Sequence, residues 1–294
     1  MYYSETWKIL APSKGLKIYS PEQLRFVEGK KIAHSYSLDA HIEEVWQEEV
    51  LNSLKEGSLL TNGLLLRLES LKETEERLEL KVALTNYKEW KATCIQKNKR
   101  RFEEKNKRPI SKEESASTFA SATLPVTLDN YVVFLERTKY VAEFKEFLNL
   151  PSGGKWDGNP EYTYNTMLRV PKDLFRRCGE IVTNEFKRTL CLQDDSQKLF
   201  GVIETLDYDD HVLMFQINLN SSSNDIQKAK DLVTPRGSKY QDIVLVEFDE
   251  SKLADFLNKN KERIPSSIFP VAVISGAHKF GEDWPLSIRG VKKR

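Results

Sequence analysis

The chain has 294 residues, 39% hydrophobic and 30% charged, with 45 Lys and Arg against 44 Asp and Glu. At roughly 100–200 residues per domain, that length makes one large unit or two modest ones, with enough apolar side chains for a core. The net charge of +1 argues against a global field that favours nucleic acid or an anionic membrane surface, and no apolar run reaches the ~18 residues of a membrane span.

The first residues, Met1-Tyr-Tyr-Ser-Glu5, lack a basic start and an apolar segment, so no secretory signal is expected. Cys94, Cys178 and Cys191 are an odd number without framework spacing, which predicts free thiols, a reducing compartment and a cytoplasmic protein. His34, His41, His211 and His278 fall at no metal-ligand spacing and read as structural.

In chain order, 7–10 and 16–19 read as short strands, with a turn or short helix from Pro21. A helix is predicted over 38–55. Its cap is Ser37 or Asp39, Ile42, Val45, Trp46, Val50, Leu51 and Leu54 share one face, and Gly57 ends it. A hairpin follows, 64–71 and 77–84, with Leu78, Leu80, Val82 and Leu84 alternating with polar positions. The charged stretch 97–116 interleaves acids with its Lys and Arg and has Phe102 as its one aromatic, so it reads as a solvated helix or loop rather than a nucleic-acid patch. Further on, 131–135 is a strand and 171–190 a helix opening on Pro171. A hairpin is expected at 199–206 and 212–219, and a short helix over 225–232. The reading ends with a strand at 242–248, a helix over 251–261 capped by Ser251, a strand at 271–274 and a frayed 292–294. This order predicts an α+β fold with a mixed sheet between helices.

Two stretches stand out. Leu150-Pro-Ser-Gly-Gly-Lys-Trp-Asp157 puts two glycines and a lysine after an apolar run, and a helical pattern comes later. Strand, glycine loop and helix in that order are the layout of a pyrophosphate site, because glycine lets backbone come close to a ligand. On the helix, where a metal-dependent site needs carboxylates, most are missing.

With these segments in view, the second half resembles a Nudix domain, in particular the divergent branch of UDP-glucose hydrolases. The resemblance rests on Leu84-Thr-Asn-Tyr-Lys-Glu-Trp90, on Tyr131-Val-Val-Phe-Leu-Glu-Arg137 with Val141-Ala-Glu143, on Pro151-Ser-Gly-Gly-Lys155 with Ser152 inserted, and on a helix at 173–192. It spans roughly residues 35–280. It implies a Nudix-like α/β/α sandwich over 121–285, with 1–120 as an N-terminal helix-and-hairpin extension packed on it and 286–294 as a tail.

The family's box carries a Glu, then an acidic pair, whose carboxylates hold Mg²⁺. In the best register Glu185 fits the first Glu, while Arg188 and Thr189 stand where the acidic pair belongs; a second register keeps Glu180. An Arg at ~4 Å from a dication opposes it by on the order of 4 kcal/mol per charge pair at an effective dielectric near 20. The first expectation is therefore a protein that binds a nucleoside-diphosphate-linked, UDP-sugar-like ligand with weak or no hydrolysis. Its ligand contacts are Gly153, Gly154, Lys155, Arg137, Lys187 and Arg188, the two helix cations pairing phosphate directly. The second is an active hydrolase that uses Mg²⁺ at a displaced site of Glu180, Glu185 and Glu204, with Glu185 the catalytic candidate. The third is an interaction module that keeps the fold, has lost its ligand and works through a protein partner.

Overall fold

The computed structural model describes residues 1–57, 60–139, 146–150, 154–155, 192–230 and 240–293. They form an α+β sandwich of two sheets with helices on the outside. The larger, ten-stranded sheet contains β1 (Tyr2–Tyr3), β2 (Trp7–Ala11), β6 (Phe119–Val126), β7 (Tyr131–Arg137), β8 (Leu148–Asn149), β9 (Gly154–Lys155), β10 (Leu192–Thr205), β11 (His211–Leu219), β12 (Tyr240–Glu247) and β13 (Lys292–Lys293). Its order is β12-β7-β6-β11-β10-β2-β1-β13, with β8 on β7 and β9 on β6. The sheet is mixed: β6 runs parallel to β11, from Phe119 beside His211 to Val126 beside Asn218, and β6 to β7 is antiparallel. The smaller sheet has the order β3 (Leu24–Glu28), β5 (Leu78–Asn86), β4 (Leu64–Glu73).

The hydrophobic pattern sets the layers. Alternate residues of β4 and β5, among them Leu66, Leu68, Leu78, Leu80 and Val82, pack on Leu199, Val202, Leu213 and Phe215 of the large sheet. The opposite face of the large sheet carries Leu124, Phe134, Phe200 and Met214 beneath α5 (Glu250–Asn260) and α6 (Phe269–Phe280). A short helix, α4 (Ser223–Lys228), adds Ile226 to a third cluster with Val133, Leu135 and Ile217. The sheet takes in both ends of the described chain: Tyr2 pairs with Lys293 and Tyr3 with Lys292, so 292–293 is an edge strand and not a frayed tail.

Helix α1 (Tyr36–Glu56) covers the predicted 38–55. Its cap is Ser35, which accepts from the Leu38 amide, rather than Ser37 or Asp39. Gly57 closes it at φ 65°, the left-handed conformation a C′ glycine supplies. Of the expected apolar stripe Ile42 and Val45 are buried, together with Leu38, but Leu51 and Leu54 are exposed, because the partner helices α2 (Tyr87–Thr93) and α3 (Gln96–Asn106) contribute Ala92 and Phe102 only at its first half. Lys99, Arg101, Lys105 and Arg108 of the charged stretch are ion-paired. Arg101 bonds Glu44 and, at 2.7 Å, Glu48 of α1; Lys99 reaches Asp209 at 2.6 Å and Arg108 reaches Glu114 at 2.7 Å. Of these partners only Glu114 belongs to the stretch itself; the others, on α1 and the 206–210 turn, tie it to its neighbours.

Two expectations are corrected. Residues 271–274 are helix. The β-branched Val271, Val273 and Ile274 imitate a strand, yet they sit in α6, which is buried from Phe269 through Ala277. A helix apolar on every side cannot be told from a buried strand by periodicity. Pro270 suits its first turn, and the absent side chain of Gly276 admits the Trp284 ring, which an added Cβ would meet at 2.1 Å. Helix α5 is capped by Asp249, whose carboxylate accepts from the amides of Ser251 and Lys252, and not by Ser251. In addition, 16–19 yields only a bridge from Tyr19 to Leu199. The predicted helix at 171–190 lies outside the described residues.

The turn 206–210 between β10 and β11 ties the N-terminal helices to the large sheet. The Trp90 indole donates to Asp210 at 2.9 Å, and the Thr118 hydroxyl donates to the same oxygen. Trp90 is 2% exposed and Thr118 fully buried. Asp210→Ala should therefore cost roughly 2–4 kcal/mol, since two buried donors lose their acceptor at about 1–3 kcal/mol each. Urea denaturation checks this; a loss below about 0.5 kcal/mol, the level of an ordinary surface substitution, would show that the turn does not hold the helices.

Candidate functional site

The arrangement that positions the predicted site is a fork in the large sheet. Strands β6 and β7 pair at Val126 and Val132 and then part. On one side of the opening, Leu135 and Glu136 of β7 pair with Asn149 and Leu148 of β8. On the other, Ala120 and Ser121 of β6 pair with Lys155 and Gly154 of β9. Two short strands, β8 and β9, thus sit along the diverging strands, one on each. They satisfy backbone groups that the split would otherwise leave unpaired. Leu150, fully buried, anchors β8. A crevice where neighbouring strands diverge is where open α/β sheets receive ligands.

At the open end of the fork lies a cleft of about 960 Å³. Phe147, just before β8, forms one wall; Asp207 and Tyr208 of the β10–β11 turn form another; Lys261, Ser266 and Arg289 come from the α5–α6 connection and the last turn of the chain. The volume is at the upper end of the ~300–1,000 Å³ usual for small-molecule sites. Neither Lys261 nor Arg289 makes a side-chain ion pair among the described residues. Lys261 lies over Gly290, where an added Cβ would stand 2.6 Å from Nζ. Asp207 accepts from the Ser266 hydroxyl at 2.8 Å, and burial pushes its carboxyl above the ordinary carboxylate range. The cations Lys261 and Arg289, the acids Glu5, Asp207 and Glu262, the hydroxyls of Ser4, Thr6 and Ser266 and the rings of Phe147, Tyr208 and Phe269 thus line one cleft.

The sequence-predicted residues fall unevenly around it. Gly154 and Lys155 form the short strand β9. The Arg137 amide donates to the Phe147 carbonyl at 2.9 Å, which puts its backbone at the cleft. Its side chain shares the parity of Val133 and Leu135, which pack on the opposite face, and its buried Nε has no hydrogen-bond partner among the described residues. Glu204 is on β10, with β11 and β6 between it and β7. Its carboxylate pairs with Lys8 at 2.8 Å, so it does not join Arg137 or β9. Gly153, Glu180, Glu185, Lys187 and Arg188 lie outside the described residues.

Glu204 is thus the one described member of the displaced carboxylate set, and it is spent on an ion pair. Among the described residues no group of three or more His, Cys, Asp or Glu is placed to hold a metal. The aspartates of the 206–210 turn do not form one either: Asp207 faces Ser266, Asp209 faces Lys99 and Asp210 faces Trp90. The described residues do not fit a Mg²⁺ site. Cys94 is a free thiol, fully buried and pushed up to about 12 by burial, and so inert as a nucleophile. Among the described residues no helix is long and apolar enough to cross a membrane.

Sequence reasoning missed Lys261 and Arg289. They are far apart in the chain, and only the folding of the last segment onto the α5–α6 connection brings them together. No known protein family matches the chain, and no curated protein matches it.

Proposed function

We propose that this chain binds a nucleoside-diphosphate-linked ligand at the open end of the fork, as the resemblance to UDP-sugar hydrolases implies, and that it hydrolyses that ligand weakly or not at all. The observation that carries the reading is the placing of Gly154 and Lys155 beside β6 in the fork, near a cleft whose two cations make no side-chain ion pair among the described residues, although Glu5 and Glu262 share the lining. A diphosphate presents at least two negative charges. Lys261 and Arg289 supply two positive ones without a metal, through charge-assisted hydrogen bonds. Phe147 and Tyr208 offer flat apolar walls for a base or sugar. Lys155, Lys187 and Arg188 enter the proposal as phosphate partners on the resemblance alone.

A thermal-shift panel of UDP, UDP-glucose and other nucleoside diphosphates, with and without Mg²⁺, tests the reading. A ligand at about 100 times its dissociation constant stabilises by about 2.7 kcal/mol, which for a chain of this size raises Tm on the order of 5 °C. The shift should be independent of Mg²⁺ and lost in the Lys261→Ala, Arg289→Ala double variant. A shift that requires Mg²⁺, accompanied by turnover that Glu185→Gln abolishes, would replace this reading with an active hydrolase. No shift with any nucleotide would leave the fold as an interaction module.

A further inference from the structure

The other end of the large sheet holds a second cavity, of about 250 Å³, lined among others by Lys198, Gln216, Asn218, Phe248, Ser275 and His278. Phe200 joins the core beneath α6, so Lys198, two residues earlier on β10, shares its face of the sheet. His278 stacks on Phe200 with ring centroids 4.3 Å apart and planes 18° from parallel. This cavity is distinct from the cleft at the fork. Phe269 lines that cleft and His278 this one, nine residues apart on α6, or about 14 Å along the helix axis.

Two buried polar atoms in this lining have no hydrogen-bond partner among the described residues: the Ser275 hydroxyl and Nε2 of His278. Ser275 is 1% exposed. Native proteins keep few such orphans, because each costs the desolvation of an unpaired group, and one that faces a cavity marks a place for a polar guest. The available charge is single. Lys279 donates to the Asn130 side chain and the Phe248 carbonyl and lies 4.2 Å over the Phe248 ring, so it is committed. His278 is neutral, with its imidazole held down at about 4 by burial and by nearby Lys198. Lys198 has no ion pair among the described residues.

We propose that this cavity is a binding site for a small organic monocarboxylate, with its charge on Lys198, its oxygens toward Ser275 and His278, and its body against Phe200 and Phe248. A phosphate dianion would leave its second charge unmatched. The volume lies below the ~300 Å³ at which drug-sized sites begin, so the body is compact, on the scale of one ring.

Benzoate is the probe, with its neutral analogue benzamide and inorganic phosphate as controls, titrated into the full chain by saturation-transfer NMR and thermal shift. Benzoate should saturate and raise Tm, and benzamide and phosphate should do neither. Lys198→Gln should weaken benzoate at least about tenfold, the scale of losing one charge-assisted contact, while the ligand-free Tm is unchanged. Ser275→Ala should weaken benzoate and raise the ligand-free Tm, because it deletes an unsatisfied hydroxyl. Lys261→Ala should leave benzoate binding intact, which separates this test from the nucleotide panel. Failure of benzoate to saturate by about 10 mM, well above a millimolar dissociation constant, would overturn the proposal, as would equal binding of benzamide or undiminished binding by Lys198→Gln. Phosphate binding as tight as benzoate would overturn the carboxylate assignment.

Discussion

Gly201→Ala should destabilise the protein by about 4 kcal/mol or more, at the exceptional end for one added methyl group. Gly201 sits at φ 138°, in a region that L side chains rarely adopt. A Cβ built there stands 1.9 Å from the Ala11 carbonyl oxygen and 2.8 Å from its carbon. Both are backbone atoms of the neighbouring strand β2, so no rotamer change relieves the clash. The position is also a bulge: the β10–β11 register shifts between Leu199 and Gly201, and the β10–β2 register shifts just beyond, between Val202 and Ile203. Making room means parting β2 from β10 and opening the core that Ala11, Leu199 and Val202 share with the small sheet. Chemical denaturation gives the number. Gly63→Ala is the control, since nothing lies within 4 Å of its added Cβ, and it should stay within about 0.5 kcal/mol of the parent. A loss below about 1 kcal/mol at Gly201 would mean that β2 does not pair with β10 there.

The second large effect is acid sensitivity. His211 is 2% exposed, and burial, the main cause, holds its imidazole at about 4 against an ordinary 6.5. Glu204 pulls the value up, and Lys112, Lys8 and Arg67 push it down. The unfolded chain takes up this proton near pH 6.5, but the folded chain takes it up only near pH 4. Between those values the unfolded state binds more protons, so stability falls as pH falls through the window. The full gap amounts to up to about 3 kcal/mol. His278 adds a smaller share in the same direction, since it is partly exposed to solvent. Carboxylates held low act at the acid end, as with Glu114, which Arg108 keeps at about 2. Denaturation midpoints at pH 7 and pH 4.5 should differ clearly in the parent and much less in His211→Gln. Equal slopes in both would show that the buried imidazole is not the cause.

Local signals in the sequence carried the elements, and long-range packing decided what they missed. Gly57 and the alternation in 64–71, 77–84, 199–206 and 212–219 are written in neighbouring residues, and both hairpins form, with strands at 64–73, 78–86, 192–205 and 211–219. Helix α6 was misread because Val271, Val273 and Ile274 have the same apolar, β-branched character in a fully buried helix as in a buried strand. The ends of α1 and α5 slipped by a few residues because several Ser and Asp side chains compete for each cap, and only geometry chooses Ser35 and Asp249. The fork was half visible: Leu150 to Lys155 reads as a loop after a strand, but nothing local says that β8 pairs with β7 and β9 with β6. Lys261 and Arg289 gave no signal, since neither belongs to a motif. Glu204 was attractive as an acid at the end of a strand, and Lys8, from a strand nearly two hundred residues earlier, had already claimed it.

The core between the two sheets has a consequence for the chain as it leaves the ribosome. Its first half, Leu24 through Val82, is complete early, but the surface it rests on, Leu199 through Phe215, is made about 130 residues later. At ~5–20 residues per second, β3, β4 and β5 present their apolar face with no partner for on the order of ten seconds. The central pairing is delayed too, by about 85 residues, because β6 waits for β11 to lie parallel beside it. During that interval the nascent sheet is a natural client for a holding chaperone. A synonymous change that slows translation between residues 83 and 198 would lengthen the exposure and lower the soluble yield without altering a single atom of the finished protein.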